Sequence, residues 1–347
     1  MTQIKAAILG FGLSGAIFHA PFLEAADRFE LAVILQRKGE SAARAYPRAR
    51  IAGNLESVLG DKSIELVVVG TPNALHFEMA RQALLAGKHV IVDKPFTPTV
   101  AEAQELIGLA RKKGLHLFVF HNRRWDGDFM TLRMIIEEGK LGEIVSYDAS
   151  YDRYAPSLNS KPWKETAGPG ISILHDLGTH IIDQAVCLFG RPEAVTGHLV
   201  TQREGSSVSD GFTVRLHYSG LHATLRSSLL VLEEGPRYVI HGRNGSFVKY
   251  GVDPQEDDMQ AGCRPLDSGW GEDAEEKWGV LHTRVNSVSK RETVPTLPGN
   301  YMHFYDNVAA VIRDGAPIAM TAEEALVTVR IIEAVQESHR EGRTIKI

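Results

Sequence analysis

A histidine and an aspartate spaced four residues apart are the clearest candidates for chemistry in this 347-residue sequence. Asp176 and His180 lie in a predicted helix over residues 170–189, and their spacing puts both on one helix face, with Asp183 nearby. A histidine beside a carboxylate is suited to proton transfer near neutral pH. A structural polar patch and a metal site are the alternatives. His175 points about 140° away from His180, and no second ligand cluster stands out among the 14 histidines, so we expect no metal.

A glycine-rich segment follows the first predicted strand and opens a helix. In such a pattern the first glycine allows a tight turn, the second lets the backbone approach a pyrophosphate, and the third lets helix and strand pack closely. The amides at the start of the helix then bind the phosphates. We therefore predict that this segment binds a dinucleotide, the alternative being a glycine-rich turn of a flavodoxin-like fold. The segment reads Gly10-Phe11-Gly12-Leu13-Ser14-Gly15.

The end of the second strand indicates which dinucleotide binds. An NAD enzyme carries an acidic residue there, which bonds the ribose 2′-hydroxyl. Here the sequence reads Leu35-Gln36-Arg37-Lys38, so Arg37 and Lys38 stand where a 2′-phosphate would lie. The planar guanidinium of Arg37 can stack on adenine and bind phosphate. We predict NADP, with NAD as the alternative. A solvated loop with chance cations, partly offset by Glu40, is also open.

Two further motifs follow strands at their carboxyl ends, where ligands bind in open α/β sheets. They are Thr71-Pro72-Asn73 and Asp93-Lys94-Pro95. The Lys94 ammonium can donate to a substrate oxygen and stabilise developing alkoxide charge. Pro95 can fix the lysine's backbone, for example through a cis peptide bond. An ordinary turn and a surface lysine are the alternatives.

Four side chains are candidates to line a sugar pocket, where flat rings stack and polar groups bond hydroxyls. Ordinary packing and solvated charges are equally open interpretations. The candidates are Arg153, Tyr154, Trp163 and Tyr301.

The elements that position these residues alternate between strand and helix up to about residue 121. Near-continuous apolar strands separated by helices predict a parallel sheet with helices on both faces. Capping boxes mark the starts of two helices in the chain, Thr99-x-x-Glu102 and Thr321-x-x-Glu324. The predicted strands are Ile4–Leu9, Glu30–Leu35, Ile64–Val69, Val90–Val92 and His116–Phe120.

The pattern changes after residue 122. Strands with hairpin-like turns between Ala194 and Tyr250 predict a mostly antiparallel sheet. Gln255–Val294 is polar and weakly patterned, which predicts long loops with a short strand, and two helices close the chain. We therefore predict an α/β Rossmann domain over residues 1–122. An α+β domain over residues 123–347 follows it, with a large, open, mostly antiparallel sheet.

Charge and composition exclude several classes of protein. The net charge of −5 argues against nucleic acid or anionic lipid as a partner. Residues 1–122 carry 14 Lys and Arg against 11 Asp and Glu, a net +3, so the remainder carries −8. The uncharged stretch Ala6–Leu23 contains glycines and Pro21, which argues against a membrane span. Cys187 and Cys263 are too few for a disulfide framework and fit a reducing compartment, so we expect a cytoplasmic protein.

Taken together, the four motifs around Gly10, Thr71, Lys94 and His180 resemble those of the Gfo/Idh/MocA oxidoreductases over essentially the whole chain. A second set of motifs resembles the branch of NADP-dependent scyllo-inositol dehydrogenases. These motifs are His121-Asn122-Arg123-Arg124-Trp125-Asp126, Arg237-Tyr238, His241-Gly242, Lys249-Tyr250-Gly251, Asp253-Pro254-Gln255-Glu256, Trp270-Gly271 and Gly299-Asn300-Tyr301.

The resemblance implies a catalytic set. Lys94 matches the lysine of the family's Glu-Lys-Pro motif, where Asp93 replaces the usual glutamate, and Asp176 and His180 match the helix aspartate and histidine. It also implies that these three contact the substrate, and it adds His76, Asn122 and Arg123 to the expected cofactor contacts, together with Asp93. Homodimers or homotetramers assembled through the second sheet are expected.

The implied activity is the interconversion of a hydroxyl and a ketone on a cyclic polyol or sugar, with scyllo-inositol as the expected substrate. Dehydrogenation of an aldose and reduction of a keto-sugar are alternatives within the family. A sensor that binds nucleotide or sugar without chemistry is a further alternative. A sensor has no need of Lys94, Asp176 and His180 together, and this sequence keeps all three.

Overall fold

The computed structural model describes residues 2–347, except for the side chain of Trp163, and the chain divides into two compact units. The first unit comprises Met1–Asn122, Glu256–Trp270 and Tyr301–Leu326. The second comprises Arg123–Gln255, Gly271–Asn300 and Val327–Ile347. The sequence predicts one domain boundary, after residue 122. In the structure, the later segments Glu256–Trp270 and Tyr301–Leu326 also belong to the first unit. Across residues 2–347, no helix is both long and apolar enough to span a membrane.

Two sheets form the centres of the two units. The six-stranded sheet of the first unit has the order β3-β2-β1-β4-β5-β6, and the nine-stranded sheet of the second has the order β14-β13-β12-β11-β7-β10-β9-β8-β15. The strands of the first are β1 Ile4–Leu9, β2 Phe29–Leu35, β3 Arg50–Ala52, β4 Leu66–Val69, β5 His89–Asp93 and β6 Leu117–Phe120. Those of the second are β7 Ile144–Ser150, β8 Ala194–Val200, β9 Gly211–Tyr218, β10 Leu221–Ser228, β11 Tyr238–Gly242, β12 Gly245–Lys249, β13 Gly279–Val285, β14 Val288–Val294 and β15 Ile345–Lys346.

The first sheet is entirely parallel, as predicted. Its central strand β4, Leu-Val-Val-Val, is buried at every position, which explains why it reads as a continuous apolar run. Strand β3 is absent from the predicted strands. It is three residues long and lies at the edge of the sheet, where the chain needs no apolar run.

The helices agree in large part with the sequence pattern. They are α1 Ala20–Ala25, α2 Ser41–Ala45, α3 Glu56–Leu59, α4 His76–Leu85, α5 Val100–Lys113, α6 Gly127–Glu137, α7 Thr179–Phe189, α8 Gln255–Gln260, α9 Met302–Asp314 and α10 Ala322–Glu341. Both capping boxes are confirmed. Glu102 N–H donates to the Thr99 hydroxyl at 3.3 Å, and Glu324 N–H donates to the Thr321 hydroxyl at 3.2 Å.

The second sheet is mixed but mostly antiparallel, as predicted. Only β7 and β10 pair in parallel among its described strands. Side chains from one face of this sheet form an apolar core with α6, α7 and α10. Tyr147 of β7, Phe129 of α6, Ile181 of α7 and Val335 of α10 are all fully buried in this core.

The prediction of long loops over Gln255–Val294 is wrong at both ends, because the segment begins with α8 and ends in two strands. Residues 279–294 form an antiparallel hairpin, β13 and β14, with Asn286 and Ser287 at its turn in left-handed conformations (φ 49° and 65°). Strand β14 is at the sheet edge and most of its side chains are exposed. It therefore lacks the alternation of polar and apolar residues that would reveal a half-buried strand.

Aromatic packing explains why α9 belongs to the first unit. Tyr305 stacks on Phe22 with ring centroids 5.2 Å apart, and Phe304 meets Phe120 edge-on at 4.9 Å. Near the other end of α9, Arg313 binds both carboxylate oxygens of Glu65 at 2.7 and 2.8 Å. These contacts join residues 184 to 283 positions apart in sequence.

Candidate active site

The glycine-rich turn adopts the backbone that a dinucleotide-binding site requires. Gly10 has φ +97°, which non-glycine residues rarely adopt. A Cβ on Gly15 would lie 2.2 Å from the carbonyl oxygen of Gly10, so the turn can close only with glycine there. A Cβ on Gly12 would meet nothing within 4 Å, and its backbone is therefore open to close approach. The helix that follows begins with a π-helical turn, Ser14–His19, and continues as α1.

A cleft of about 530 Å³ opens beside this turn. It contains the residues that the sequence analysis singled out at the ends of β1, β2 and β4. Those residues fit an adenine nucleotide, with backbone amides for the pyrophosphate and two cations further out. The lining is Gly10, Phe11, Gly12, Leu35, Gln36, Arg37, Lys38, Gly70, Thr71, Pro72, Leu75 and Met79. Asn73 lies in the 3₁₀ turn that follows, and Leu13 is half-exposed next to Gly12.

Arg37 and Lys38 are both exposed at the cleft. The neighbouring Glu40 carboxylate lies 3.8 Å from Arg44. Gln36 occupies the place where an NAD enzyme carries its carboxylate. Its amide donates to the Ser41 hydroxyl at 2.8 Å and accepts from Ala42 N–H at 2.9 Å. The cleft therefore offers positive charge and no carboxylate at the end of β2, which is the arrangement that suits a 2′-phosphate.

The segments after β4 and β5 are fixed by His76. This imidazole is fully buried, and its two nitrogens lie 2.8 Å from the carbonyl oxygens of Pro95 and Thr71. His76 is among the residues for which the sequence predicts a cofactor contact. The structure shows that it links the two backbone segments that carry Thr71 and Lys94. The peptide bond between Lys94 and Pro95 is cis, as the sequence analysis suggested.

Asp93 lies at the end of β5 and is 9% exposed. One carboxylate oxygen accepts from Lys94 N–H at 2.7 Å, and the other accepts from the Ser14 hydroxyl. His19, which the sequence analysis missed, is fully buried beside it, with Nε2 4.0 Å from the carboxylate. Burial lowers the pKa of His19 to about 4. No sequence signal distinguishes His19 from an ordinary core residue, because its partner Tyr305 comes from α9.

Asp176 and His180 lie on the helix predicted for them, but its first turns differ from an α-helix. Residues Leu174–Gly178 form a π-helix that continues into α7, so Asp176 lies in the π segment and His180 in the α segment. Asp176 is exposed and His180 is 4% exposed. π-helical turns are rare and often occur at functional sites.

His175 lies on this helix, but its side chain contacts Ser172. Its Nδ1 is 2.8 Å from the Ser172 hydroxyl, and burial lowers its pKa to about 4. Within residues 2–347 as described, no group of three or more His, Cys, Asp or Glu side chains is arranged to hold a metal ion.

Helix α7 is held by two consecutive polar side chains that face away from solvent. Asp183 accepts two hydrogen bonds from the Arg124 guanidinium, at 2.8 and 2.9 Å. Gln184 donates to the carbonyl oxygen of Arg123 at 2.9 Å and accepts from the Tyr238 hydroxyl at 2.8 Å. Asp183, which the sequence placed near the face of Asp176, is therefore bound to Arg124 and positions the helix.

The remaining predicted site residues are dispersed. Asn122 and Arg123 begin a 3₁₀ turn and are buried, and Arg123 pairs with Asp126 at 3.2 Å. Arg153 lies over the ring of Tyr151, with 5.3 Å from guanidinium carbon to centroid, and Tyr154 is half-exposed. Trp163 lies in a 3₁₀ turn, and its side chain is outside the described part of the structure.

Tyr301, the fourth predicted pocket residue, is fully buried in the first unit. Its ring centroid lies 6.2 to 6.4 Å from those of Phe18, Phe22 and Trp270. This placement favours the packing role that the sequence left open. Lys94 lies in the first unit, and Asp176 and His180 lie in the second.

Two family models match the chain, one for the N-terminal and one for the C-terminal part of the sequence. Residues 4–121 match the model of an oxidoreductase family, NAD-binding Rossmann fold, and residues 133–347 match the C-terminal alpha/beta domain of the same family. The scyllo-inositol 2-dehydrogenase (NADP(+)) IolW of Bacillus subtilis is 44% identical over 99% of this chain and 96% of its own.

Solved structures show the same fold. The structure of the yvaA protein of Bacillus subtilis has a TM-score of 0.97 at 44% identity, covering 100% of this chain and 99% of its own. An oxidoreductase from Bacillus cereus has a TM-score of 0.93 at 34% identity, covering 99% of both chains. The chain therefore belongs to the Gfo/Idh/MocA oxidoreductase family, and it is a dehydrogenase of CH–OH groups with an NAD(P)-binding Rossmann domain.

Proposed function

We propose that this enzyme interconverts scyllo-inositol and its ketone with NADP as cofactor. The observation that carries the choice of cofactor is the cleft beside the glycine-rich turn, where Arg37 and Lys38 are exposed and no carboxylate ends β2. The choice of substrate rests on the 44% identity to a scyllo-inositol 2-dehydrogenase that uses NADP.

Each candidate residue has a role in this reaction. A nicotinamide cofactor held by the glycine-rich turn, Arg37 and Lys38 would supply the acceptor for the hydride of the substrate carbon. His180 takes the proton of the reacting hydroxyl, and Asp176 orients the imidazole or bonds a neighbouring hydroxyl. Lys94 donates to the reacting oxygen and stabilises its developing negative charge. In the reverse direction the same groups return the proton to a ketone.

The test is a substrate panel run with both NADP and NAD, in which absorbance of the reduced cofactor reports turnover. The panel contains scyllo-inositol, other inositols and several aldoses. We expect the highest kcat/KM with scyllo-inositol and NADP. Preference for an aldose would replace the substrate with the alternative within the family. Protein that binds NADPH but turns over none of them would refute the polyol assignment.

The catalytic roles are tested by Lys94→Ala and His180→Ala. Each should lower kcat by roughly 10²–10⁴-fold, because each removes a proton or charge interaction made at the reacting oxygen. Matched controls are Lys62→Ala and His198→Ala, both at exposed positions, which should keep the wild-type rate. Near-normal rates in both active-site variants would refute the assignment.

We also propose that the open face of the second sheet joins two copies of the chain. Val239, Val248 and Val280 are direct neighbours across β11, β12 and β13 and are only partly buried. They form an apolar row on the face opposite the core. Val248→Glu should shift the mass measured by light scattering from dimer or tetramer to monomer. A wild-type monomer, or an unchanged mass of the variant, would refute this interface.

A further inference from the structure

We propose that Asp93 is a positioning residue that couples the glycine-rich turn to Lys94. The role of Lys94 rests on the proposed function, whereas the link between Asp93 and the turn does not. The two segments lie about eighty residues apart in sequence and meet at this one carboxylate.

The carboxylate uses its two oxygens for two different segments. Oδ1 accepts from the backbone N–H of Lys94 at 2.7 Å, which fixes the start of the lysine's own residue. Oδ2 accepts from the hydroxyl of Ser14, in the first turn of the helix that follows the glycine-rich segment. A displacement of the glycine-rich turn therefore acts on Asp93, and through it on the backbone of Lys94.

The surroundings leave this link little freedom. A Cβ on Gly70, at the end of β4, would lie 3.3 Å from the Ser14 hydroxyl oxygen, so backbone packs against that hydroxyl. On the other side, the His19 imidazole lies 4.0 Å from Oδ2. The imidazole is itself held by the Tyr305 hydroxyl at 2.8 Å, which donates to the carbonyl oxygen of Phe18 at 2.6 Å. Asp93 and Ser14 are thus enclosed by rigid groups, and cofactor binding at the turn has a direct route to the lysine.

A binding experiment tests the link without any turnover. Dissociation constants for NADPH are measured by fluorescence titration for the wild type, Ser14→Ala, Asp93→Ala and the double variant. Residues that act through one another give non-additive effects. We expect each single variant to weaken binding about tenfold, and the double variant to be no weaker than the worse single. Additive weakening of about a hundredfold, or no weakening in either single variant, would overturn the proposal.

A control variant and a replacement variant complete this experiment. Ser63 donates to the Asp61 carboxylate at 2.7 Å, on an exposed loop away from the cleft, so Ser63→Ala removes the same type of bond without affecting NADPH binding. If Asp93→Ala does not fold, as judged by near-ultraviolet circular dichroism, Asp93→Asn replaces it in the cycle. Asparagine keeps the shape and one acceptor oxygen, so it should show the same non-additivity with a smaller loss.

Turnover then tests the part that concerns the lysine. At saturating cofactor and substrate, Asp93→Ala should lower kcat at least tenfold in the wild-type background and not at all in a Lys94→Ala background. A further loss in the Lys94→Ala background would show that Asp93 acts by another route. If the wild type turns over no substrate, the proposed function fails, while the binding cycle still decides whether Asp93 and Ser14 are coupled.

Discussion

In the first unit, the glycine-rich turn beside the cofactor cleft consists of six consecutive residues after β1. Its geometry is possible because its glycines have no side chains. In the second unit, His180 lies on a helix whose position depends on Arg124, located 59 residues before its partner Asp183. The first arrangement is set by local backbone sterics, and the second by buried charges from distant parts of the chain. Substitutions in the two regions should therefore fail in different ways.

The largest expected effect on stability comes from the buried ion pair of the second unit. The side chains of Arg124 and Asp183 are 8% and 2% exposed, so Arg124→Met leaves a buried carboxylate without its main cation. We expect a loss of about 3–5 kcal/mol in the free energy of unfolding, measured with urea.

The matched control for this prediction is Arg133→Met, which removes an ion pair with Glu137 in which both side chains are more than half exposed. Its cost should be about 0–1 kcal/mol because solvent screens the pair. Replacing both members, as Arg124→Met with Asp183→Leu, should recover much of the loss. A single variant as stable as the control would show that the pair does not hold α7.

Substitutions at two glycines of the first unit should separate an effect on stability from an effect on cofactor binding. Gly15→Ala places a Cβ 2.2 Å from the carbonyl oxygen of Gly10 and should cost about 2–3 kcal/mol of stability. Gly12→Ala meets no protein atom within 4 Å, so the melting temperature should stay unchanged. Its methyl group lies where the pyrophosphate must approach, so NADPH affinity should fall at least tenfold.

The control for these two variants is Gly108→Ala in the middle of α5, where a Cβ also meets nothing within 4 Å. It should leave NADPH affinity unchanged and raise stability by about 0.5–1 kcal/mol through helix propensity. Unchanged NADPH affinity in Gly12→Ala would contradict the assignment of the turn to the cofactor.

Acid should destabilise both units through buried histidines. Burial lowers the pKa of His175 from 6.5 to about 4, so the unfolded chain takes up the proton first as pH falls. The free energy of unfolding is therefore unaffected by His175 above pH 6.5 and decreases as the pH falls from 6.5 towards 4. At pH 5 the loss amounts to about 2 kcal/mol. His19 in the first unit has a pKa of about 4 for the same reason.

His175→Gln tests this by removing the titrating group of the second unit. Urea unfolding at a series of pH values between 7 and 5 should then show a shallower loss of stability than in the wild type. An identical pH profile would mean that His175 does not titrate as its burial implies.

The sequence predicts features that depend on neighbouring residues. The glycine-rich turn, both capping boxes and the five longer strands of the first sheet all follow from patterns within about fifteen residues. The edge strands β3 and β14 could not be predicted, because exposed strands need no apolar alternation. Contacts between distant segments could not be predicted either. Examples are the pairing of Asp183 with Arg124 and that of His19 with Tyr305.

The π-helical turns are a separate limit on prediction. Spacing of four residues between Asp176 and His180 implies one helix face only if the turn is α-helical, and Leu174–Gly178 is not. The same wider turn begins the helix after the glycine-rich segment, at Ser14–His19. Both units therefore depart from regular helix geometry at their candidate functional residues, for which the sequence gives no signal.

The smallest expected effect on stability concerns cofactor choice in the first unit. Arg37→Ala and Lys38→Ala each remove one exposed cation at the cleft and should raise the KM for NADP by about 10–100-fold in combination, with the KM for NAD nearly unchanged. Arg44→Ala, an exposed arginine paired with Glu40, is the control and should change neither KM. Because these side chains are exposed, melting temperatures should stay at the wild-type value.

Equal loss of affinity for both cofactors would mean that the two cations bind the part of the nucleotide that NAD and NADP share and not the 2′-phosphate. The preference would then have to come from Gln36, whose amide holds the start of α2 where an NAD enzyme has its carboxylate.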